Sequence, residues 1–234
     1  MDIGIGGPAA LQANVVNSLG NWAKTWGMKF NPSKCIHIST DRFAPEFTLT
    51  LDGSPIPKSD KVKYFGLTFH KSLKWDEHIN TVAKRANKSL GMLRRSLHGA
   101  NSKTCMLAFN SVVRPILEYA SQVWSPYTKT QAEDLEKIHR RAIRWAFRIP
   151  RLSSVSAIMT SNNIVPLSYR RDQLDERFLA KIQLGDYMVN LKEFITFNTC
   201  HNTRGNTINP HYSCNQFKFS YYNRMRTFVK VIPP

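Results

Sequence analysis

Apolar residues at Leu11, Val15, Leu19 and Trp22 recur at three- and four-residue steps, and Trp26 extends the stripe. That is the period of an amphipathic helix, expected over residues 11–26 and stopped by Gly27. The pattern then turns at Asn31-Pro32 and runs into Cys35-Ile36-His37-Ile38, expected as a short strand. Phe47, Leu49 and Leu51 alternate with Thr48 and Thr50 ahead of Asp52-Gly53. Asp-Gly tolerates positive φ and marks a tight hairpin. Residues 62–69 read as one further strand, with Val62, Tyr64, Leu67 and Phe69 apolar. Gly66 lies inside it, where a glycine often marks a bulge.

From Trp75 the period changes. Ile79, Val82, Ala83, Ala86, Leu90, Leu93 and Leu97 fall within one arc of a helix, and Gly99 is placed to stop it. A second helix is expected over residues 103–124, with Pro115 as a kink or break. A third is expected over residues 129–147, with Leu135, Ile138, Ala142 and Trp145 as its apolar stripe and Pro150 as its end. A fourth is expected over residues 168–184. The fold class is therefore α+β, a small mixed region followed by a mainly helical one. The expected segments are 1–71, 72–150 and a C-terminal helical, irregular and basic segment, 151–234. No Ser/Gly linker or internal repeat separates them.

Composition sharpens the functional classes. The chain has 234 residues, 42% of them hydrophobic and 11% aromatic, which suits a packed core rather than disorder. Its net charge is +17, from 33 Lys and Arg against 16 Asp and Glu. Such a surplus calls for a polyanion, and nucleic acid is the first candidate. No run of about 18 apolar residues exists to anchor in a bilayer, so no membrane partner is expected. The N-terminus lacks the basic and apolar regions of a signal peptide. Cys35, Cys105, Cys200 and Cys214 are scattered without a CxxC and read as reduced thiols. An intracellular protein, nuclear or cytoplasmic and not secreted, is expected.

The charge is concentrated. Residues 81–151 hold 14 Lys and Arg against four acids. On the third helix Lys137, Arg141, Arg144 and Arg148 share one stripe, with Arg140 beside it, turned about 120° from the apolar stripe. The helix before it carries Lys84, Arg85, Lys88 and Arg95 largely opposite its apolar arc. Arginine forks match phosphate oxygens, so these faces are candidate backbone contacts. The alternative is a pair of solvated helix faces. The tail from Phe194 adds five Lys and Arg and no acid, interleaved with Phe217, Phe219, Tyr221 and Tyr222. Such a pattern suits either base stacking or core packing.

Catalytic constellations are sparse. Asp76-Glu77, Glu133-Asp134 and Asp175-Glu176 are the adjacent acid pairs, all expected as helix-cap or surface residues and none as metal ligands. There is no phosphate-binding GxxxxGK[ST] loop, no HExxH and no GxSxG. Gly4, Gly6 and Gly7 lack the preceding strand of a dinucleotide fingerprint. Cys200, His201, His211 and Cys214 lack the paired front ligands of a structural zinc site. No cofactor and no metal site is expected.

Several stretches in order resemble the reverse transcriptases of non-LTR (LINE-type, jockey-like) retrotransposons. Trp22-Ala-Lys-Thr-Trp-Gly-Met-Lys-Phe-Asn-Pro-Ser-Lys-Cys35 is similar to the helix and Asn-x-x-Lys turn of motif D. Lys63-Tyr-Phe-Gly-Leu-Thr-Phe69 is similar to the Tyr-Leu-Gly primer-grip hairpin, with Phe65 in the leucine position. Leu73-Lys-Trp-Asp-Glu-His-Ile79 resembles the L-x-W-x-x-H-I start of the thumb. Val113-Arg-Pro-Ile-Leu-Glu-Tyr-Ala-Ser-Gln-Val-Trp124 resembles the helix that follows, and Ile149-Pro150 and Val165-Pro-Leu-Ser-Tyr-Arg-Arg171 agree in order.

The resemblance implies that residues 1–71 are the end of a palm and residues 72–150 a thumb that holds RNA–DNA or DNA duplex by its backbone. It implies that Lys34 is the motif D lysine, beside the incoming nucleotide, and that Tyr64, Phe65 and Gly66 form the primer grip. The family's metal-binding aspartates belong upstream of motif D, and no YxDD occurs in this sequence. The expectation is a polymerase fragment that binds template–primer without copying it. Mg²⁺ is expected only for a full-length polymerase, and the palm and endonuclease regions of such a protein are candidate partners. The alternatives are a protein-interaction module and a functionless remnant of a decayed element.

Overall fold

In the computed structural model, which describes residues 9–40, 48–150 and 152–185, all regular strands lie before residue 72. The chain divides into two units, residues 1–78 and 79–234. The tail from Phe194, the Cys200–Cys214 cluster, Gly4, Gly6, Gly7 and Phe47 lie outside the described residues.

The first helix, α1, spans Ala9–Thr25, but the face it buries is not the expected one. Val16, Gly20 and Ala23 are buried, while Trp22 is exposed and Trp26 is 68% exposed. Small residues decide this. A Cβ on Gly20 would stand 3.7 Å from both Leu51 Cδ1 and Asp52 Oδ1, so the helix sits close to the strand beneath it. Val16, Leu49, Leu51 and Ile56 form the core of this unit, with Phe30 and Cys35 packed against it. Each such aliphatic side chain contributes about 1.5–3 kcal/mol when fully buried. Lys24 closes the rim on Asp52 at 2.9 Å.

The Asp52-Gly53 hairpin is present. Strand β1 (Thr50–Leu51) pairs antiparallel with β2 (Ser54–Pro55), and Asp52 and Gly53 have φ of 50° and 77°. Two positive φ values are what a type I′ turn requires. The strand expected over 35–38 is only a bridge: His37 pairs with Lys58, through His37 N to Pro57 O and Ser59 N to His37 O, both 2.9 Å. The single strand expected over 62–69 is a second hairpin. Strand β3 (Lys61–Tyr64) pairs with β4 (Leu67–His70) in the register Tyr64–Leu67 to Lys61–His70. Gly66 is therefore a turn residue and not a bulge, with φ 80°, and Phe65 before it has φ 45°.

Helix α2 (Asp76–Ser96) starts by bracing this hairpin. Trp75 packs edge-on against Phe69 at 5.2 Å and against His78 at 6.0 Å. His78 Nδ1 accepts from the Thr68 amide, and Lys61 pairs with Glu77 at 2.9 Å.

In the second unit α2 buries Ile79, Val82, Ala86, Leu90 and Leu93, the expected arc. The single helix expected over 103–124 is four pieces: α3 (Ser102–Ala108), a π-helical turn (Phe109–Val113), α4 (Arg114–Glu118) and α5 (Ser121–Trp124). Pro115 does not break the chain. It sits in the first turn of α4, where its missing N–H is tolerated, and the π turn ahead of it takes up the steric demand of its ring. The break falls at Tyr119-Ala120, where Ala120 has φ 51°. Trp124 Nε1 donates to the Tyr119 carbonyl across it at 2.8 Å.

Helix α6 spans Lys129–Ala146, capped by Thr128 Oγ1, which accepts from Gln131 N. It buries Leu135, Ile138 and Ala142 as expected, but His139, Ile143 and Ala146 join them in place of Trp145. The buried face is thus broader and centred nearer 160° from the basic stripe by helical period. A short helix without buried residues, α7 (Ser156–Ser161), has no apolar period to announce it. Helix α8 is Leu167–Gln183. Phe109, Val113, Leu117, Trp124, Leu135 and Ile143 form the centre of the core, each fully buried. Asp175 is a correction to the surface reading of its acid pair: it is buried, in the field of Arg171 one turn earlier.

Candidate nucleic-acid interface

Helix α2 presents its cations opposite its core. Lys84, Arg85, Lys88 and Arg95 are exposed. No hydrogen bond or ion pair engages any of the four among the described residues. Gly91 lies on the same side: a Cβ there would stand 3.7 Å from Arg95 Nη1, so the Arg95 guanidinium folds back over a residue without a side chain. This face combines cations with bare backbone.

Helix α6 is more committed than its sequence suggests. Lys137 pairs with Asp134 at 2.8 Å, and Arg140 pairs with Glu133. Acids on the same helix therefore offset Lys137 of the expected stripe and Arg140 beside it. Arg141, Arg144 and Arg148 keep their full charge because they bond neutral groups. Arg141 Nη1 donates to Asn87 Oδ1 at 2.9 Å, Arg144 Nη2 to the Ser153 carbonyl at 3.3 Å, and Arg148 Nη2 to the Gly99 carbonyl at 3.3 Å. Two of these bonds reach α2 or the turn just after it. They tie Arg141 to Asn87, on the flank of α2 between its cations and its core, and Arg148 to the turn after α2. Neither Asn87 nor the Gly99 carbonyl stands out in the sequence. A bond spanning 54 residues has no periodic signature.

Arg148 follows α6 at the left-handed position of its C-terminal cap, with φ 53°, and Ile149 N returns to the Arg144 carbonyl at 3.0 Å. This position usually takes glycine. Here it carries an exposed arginine.

The other singled-out residues belong to the first unit. Asn31 Oδ1 accepts from Ser33 N at 3.0 Å and from Ser33 Oγ at 2.7 Å, winding a short 3₁₀ turn, Pro32–Lys34, with Lys34 exposed at its end. Phe65 is 61% exposed at the tip of the second hairpin and meets the edge of Tyr64, ring centroids 4.4 Å apart. Gly66 completes the tip. Among the described residues no group of three His, Cys, Asp or Glu side chains is placed to hold a metal ion, and no helix is long and apolar enough to cross a membrane.

Neither family models nor solved structures match this chain. Curated proteins do. The chain is 26% identical over 135 residues to "Probable RNA-directed DNA polymerase from transposon BS" of Drosophila melanogaster, covering 55% of this chain and 15% of that protein. It is 21% identical over 182 residues to "RNA-directed DNA polymerase from mobile element jockey" of Drosophila melanogaster, covering 76% of this chain and 18% of that protein. The jockey protein of Drosophila funebris matches at 21% over 133 residues, 55% of this chain and 14% of that protein. The chain spans less than a fifth of the length of these relatives. The resemblance read from the motifs is borne out: the curated relatives of this chain are RNA-directed DNA polymerases of mobile elements, similar to it over part of their length.

Proposed function

We propose that this chain is the duplex-holding part of a retrotransposon RNA-directed DNA polymerase, with residues 79–185 acting as a thumb that grips template–primer by its backbone. The observation that supports this reading is a cationic face on α2 with no ion pair among the described residues, together with arginines of α6 that bond neutral groups of α2 and the turn after it, Arg141–Asn87 and Arg148–Gly99. A duplex offers phosphates along a line, and the exposed face of α2 offers Lys84, Lys88 and Arg95 along one. Lys84, Lys88 and Arg95 meet the backbone directly. Arg141, Arg144 and Arg148 retain guanidinium N–H groups beyond the single bond each makes.

In the first unit, Tyr64, Phe65 and Gly66 supply the primer grip: a hairpin tip with an exposed ring and a glycine is shaped to touch a strand end. Lys34 supplies a flexible ammonium for the triphosphate. The sequence holds no YxDD, so this chain alone binds and does not polymerise.

The test is binding of an RNA–DNA hybrid by the full chain as salt rises, with primer extension measured in parallel. The expected log–log slope is steep, about −0.9 for each phosphate neutralised. No extension is expected with Mg²⁺ or Mn²⁺. Salt-insensitive binding, or metal-dependent extension by clean protein, contradicts the proposal. One observation favours a second reading, a protein-binding module: Leu107, Tyr119 and Val123 are exposed on α3 to α5. A specific protein partner with salt-insensitive affinity is its signature.

A further inference from the structure

The second unit holds a cleft of about 290 Å³ that the basic faces do not use. Its walls come from the first turn of α3, the π turn, α4, the end of α6, the loop after α7 and the first turns of α8. Lys103, Arg114 and Arg170 line it, with no acid among the lining residues. The carboxylate behind them is Glu118, which both arginines share: Arg170 holds it through Nε and through Nη2, the latter at 3.0 Å, and Arg114 Nε stands 3.8 Å away. The Arg114 and Arg170 side chains are only 30% and 26% exposed, and a second carboxylate, Glu136, stands behind the lining residue His139. Burial, and then the charge of Arg170, hold the Arg114 guanidinium below its ordinary value against the opposing pull of Glu118.

The rest of the lining suits a base. Asn110 spends Oδ1 on Arg114 Nη1 at 2.9 Å and keeps its amide N–H groups. Asn162 spends Nδ2 on the Ile158 carbonyl at 3.0 Å and keeps its oxygen. The amides thus offer a donor and an acceptor, and Phe147 provides an aromatic wall. Asn110 sits in the π turn, and such turns are found frequently at functional sites. The volume is at the small end for ligand pockets, about 300–1,000 Å³.

We propose that this cleft binds a single phosphate-bearing nucleotide, its phosphate on Arg114 and Lys103 and its base against Phe147 and the asparagines. Two sources share this chemistry, a free nucleoside monophosphate and the unpaired 5′-phosphorylated end of a strand. None of the cations assigned to the faces of α2 and α6 lines it.

Calorimetric titration of the full chain with AMP, adenosine and inorganic phosphate tests it. AMP is expected to bind at least about tenfold more tightly than either fragment, since adenosine lacks the charge-assisted phosphate bonds and phosphate lacks the base. Arg114→Gln and Lys103→Gln are each expected to weaken AMP by about tenfold. Lys103 is exposed, so its variant folds even if the Arg114 variant does not. Single-stranded oligonucleotides with and without a 5′-phosphate separate the sources: a preference for the phosphorylated end assigns a strand terminus, and none assigns the free nucleotide. AMP binding no tighter than adenosine or phosphate, or wild-type affinity in Lys103→Gln together with a folded Arg114→Gln, overturns the proposal.

Discussion

Glu136 on α6 accepts the amide hydrogen of Leu167, the first residue of α8, at 3.0 Å. Pro166 offers that helix no side-chain cap, so a carboxylate from a distant helix performs the task. Its other oxygen meets His139 Nδ1 at 3.1 Å, and His139 stacks on Phe109 with ring centroids 5.5 Å apart. One acid therefore ties α8 to α6 and to the aromatic centre of the core. Burial pushes the Glu136 carboxyl up, but the bonds from His139 and Leu167 and the charge of Arg140 outweigh it and hold it below its ordinary 4.5.

The sign of the resulting pH dependence follows. A carboxyl held low in the folded chain contributes stability that is complete above 4.5 and is lost as pH falls through the lower folded value. Glu136→Ala strands a buried amide and a buried imidazole and is expected to cost about 2–3 kcal/mol near neutral pH. Glu136→Gln is expected to cost less and to flatten the acid side of the stability profile. Urea unfolding from pH 7 to pH 3 checks both, and an unchanged acid limb in the glutamine variant contradicts this role.

Phe65 occupies a left-handed position that costs a side-chain-bearing residue about 1–2 kcal/mol. Asparagine followed by Gly66 is the favoured pair for such a turn. Phe65→Asn is therefore expected to raise stability by about 1 kcal/mol while weakening binding to a primer terminus. Thermal unfolding and hybrid affinity, measured on one sample, separate the two. A variant that is both more stable and equally tight removes Phe65 from the primer grip.

Gly91 offers a similar separation on α2. A glycine inside a helix costs about 0.5–1 kcal/mol relative to alanine, and a Cβ here meets Arg95 Nη1 only at ordinary van der Waals distance. Gly91→Ala is expected to stabilise the chain by that amount and, on the proposed binding face, to weaken duplex affinity, because the methyl would stand between Lys84, Lys88 and Arg95. Improved stability with unchanged affinity places the duplex elsewhere.

Legibility in the sequence depends on how local each cause is. The arc from Ile79 to Leu93 reads directly because one long helix buries one face, and Asp52-Gly53 reads because a turn is a property of two residues. On α1 the tryptophans outweigh Gly20 and Ala23 in any hydrophobic count, yet close packing selects the small residues. Gly66 looks like an interruption of one strand because four-residue strands on either side share its apolar content. At Pro115 the expected break moves to Ala120, since a neighbouring π turn absorbs the proline. The basic faces are visible as charge. Which arginines are free is not, because Asn87, Ser153 and Gly99 are brought to them only by tertiary packing.

That distinction selects the decisive measurement. Arg141, Arg144 and Arg148 also hold parts of the unit together, so their removal confounds binding with folding. Lys84, Lys88 and Arg95 do not. The Lys84→Gln, Lys88→Gln, Arg95→Gln variant is expected to keep wild-type stability. It is also expected to reduce the magnitude of the salt slope for RNA–DNA hybrid binding by about 3, roughly one for each phosphate no longer neutralised. A folded triple variant with the wild-type slope and affinity would contradict the assignment of this face to nucleic acid.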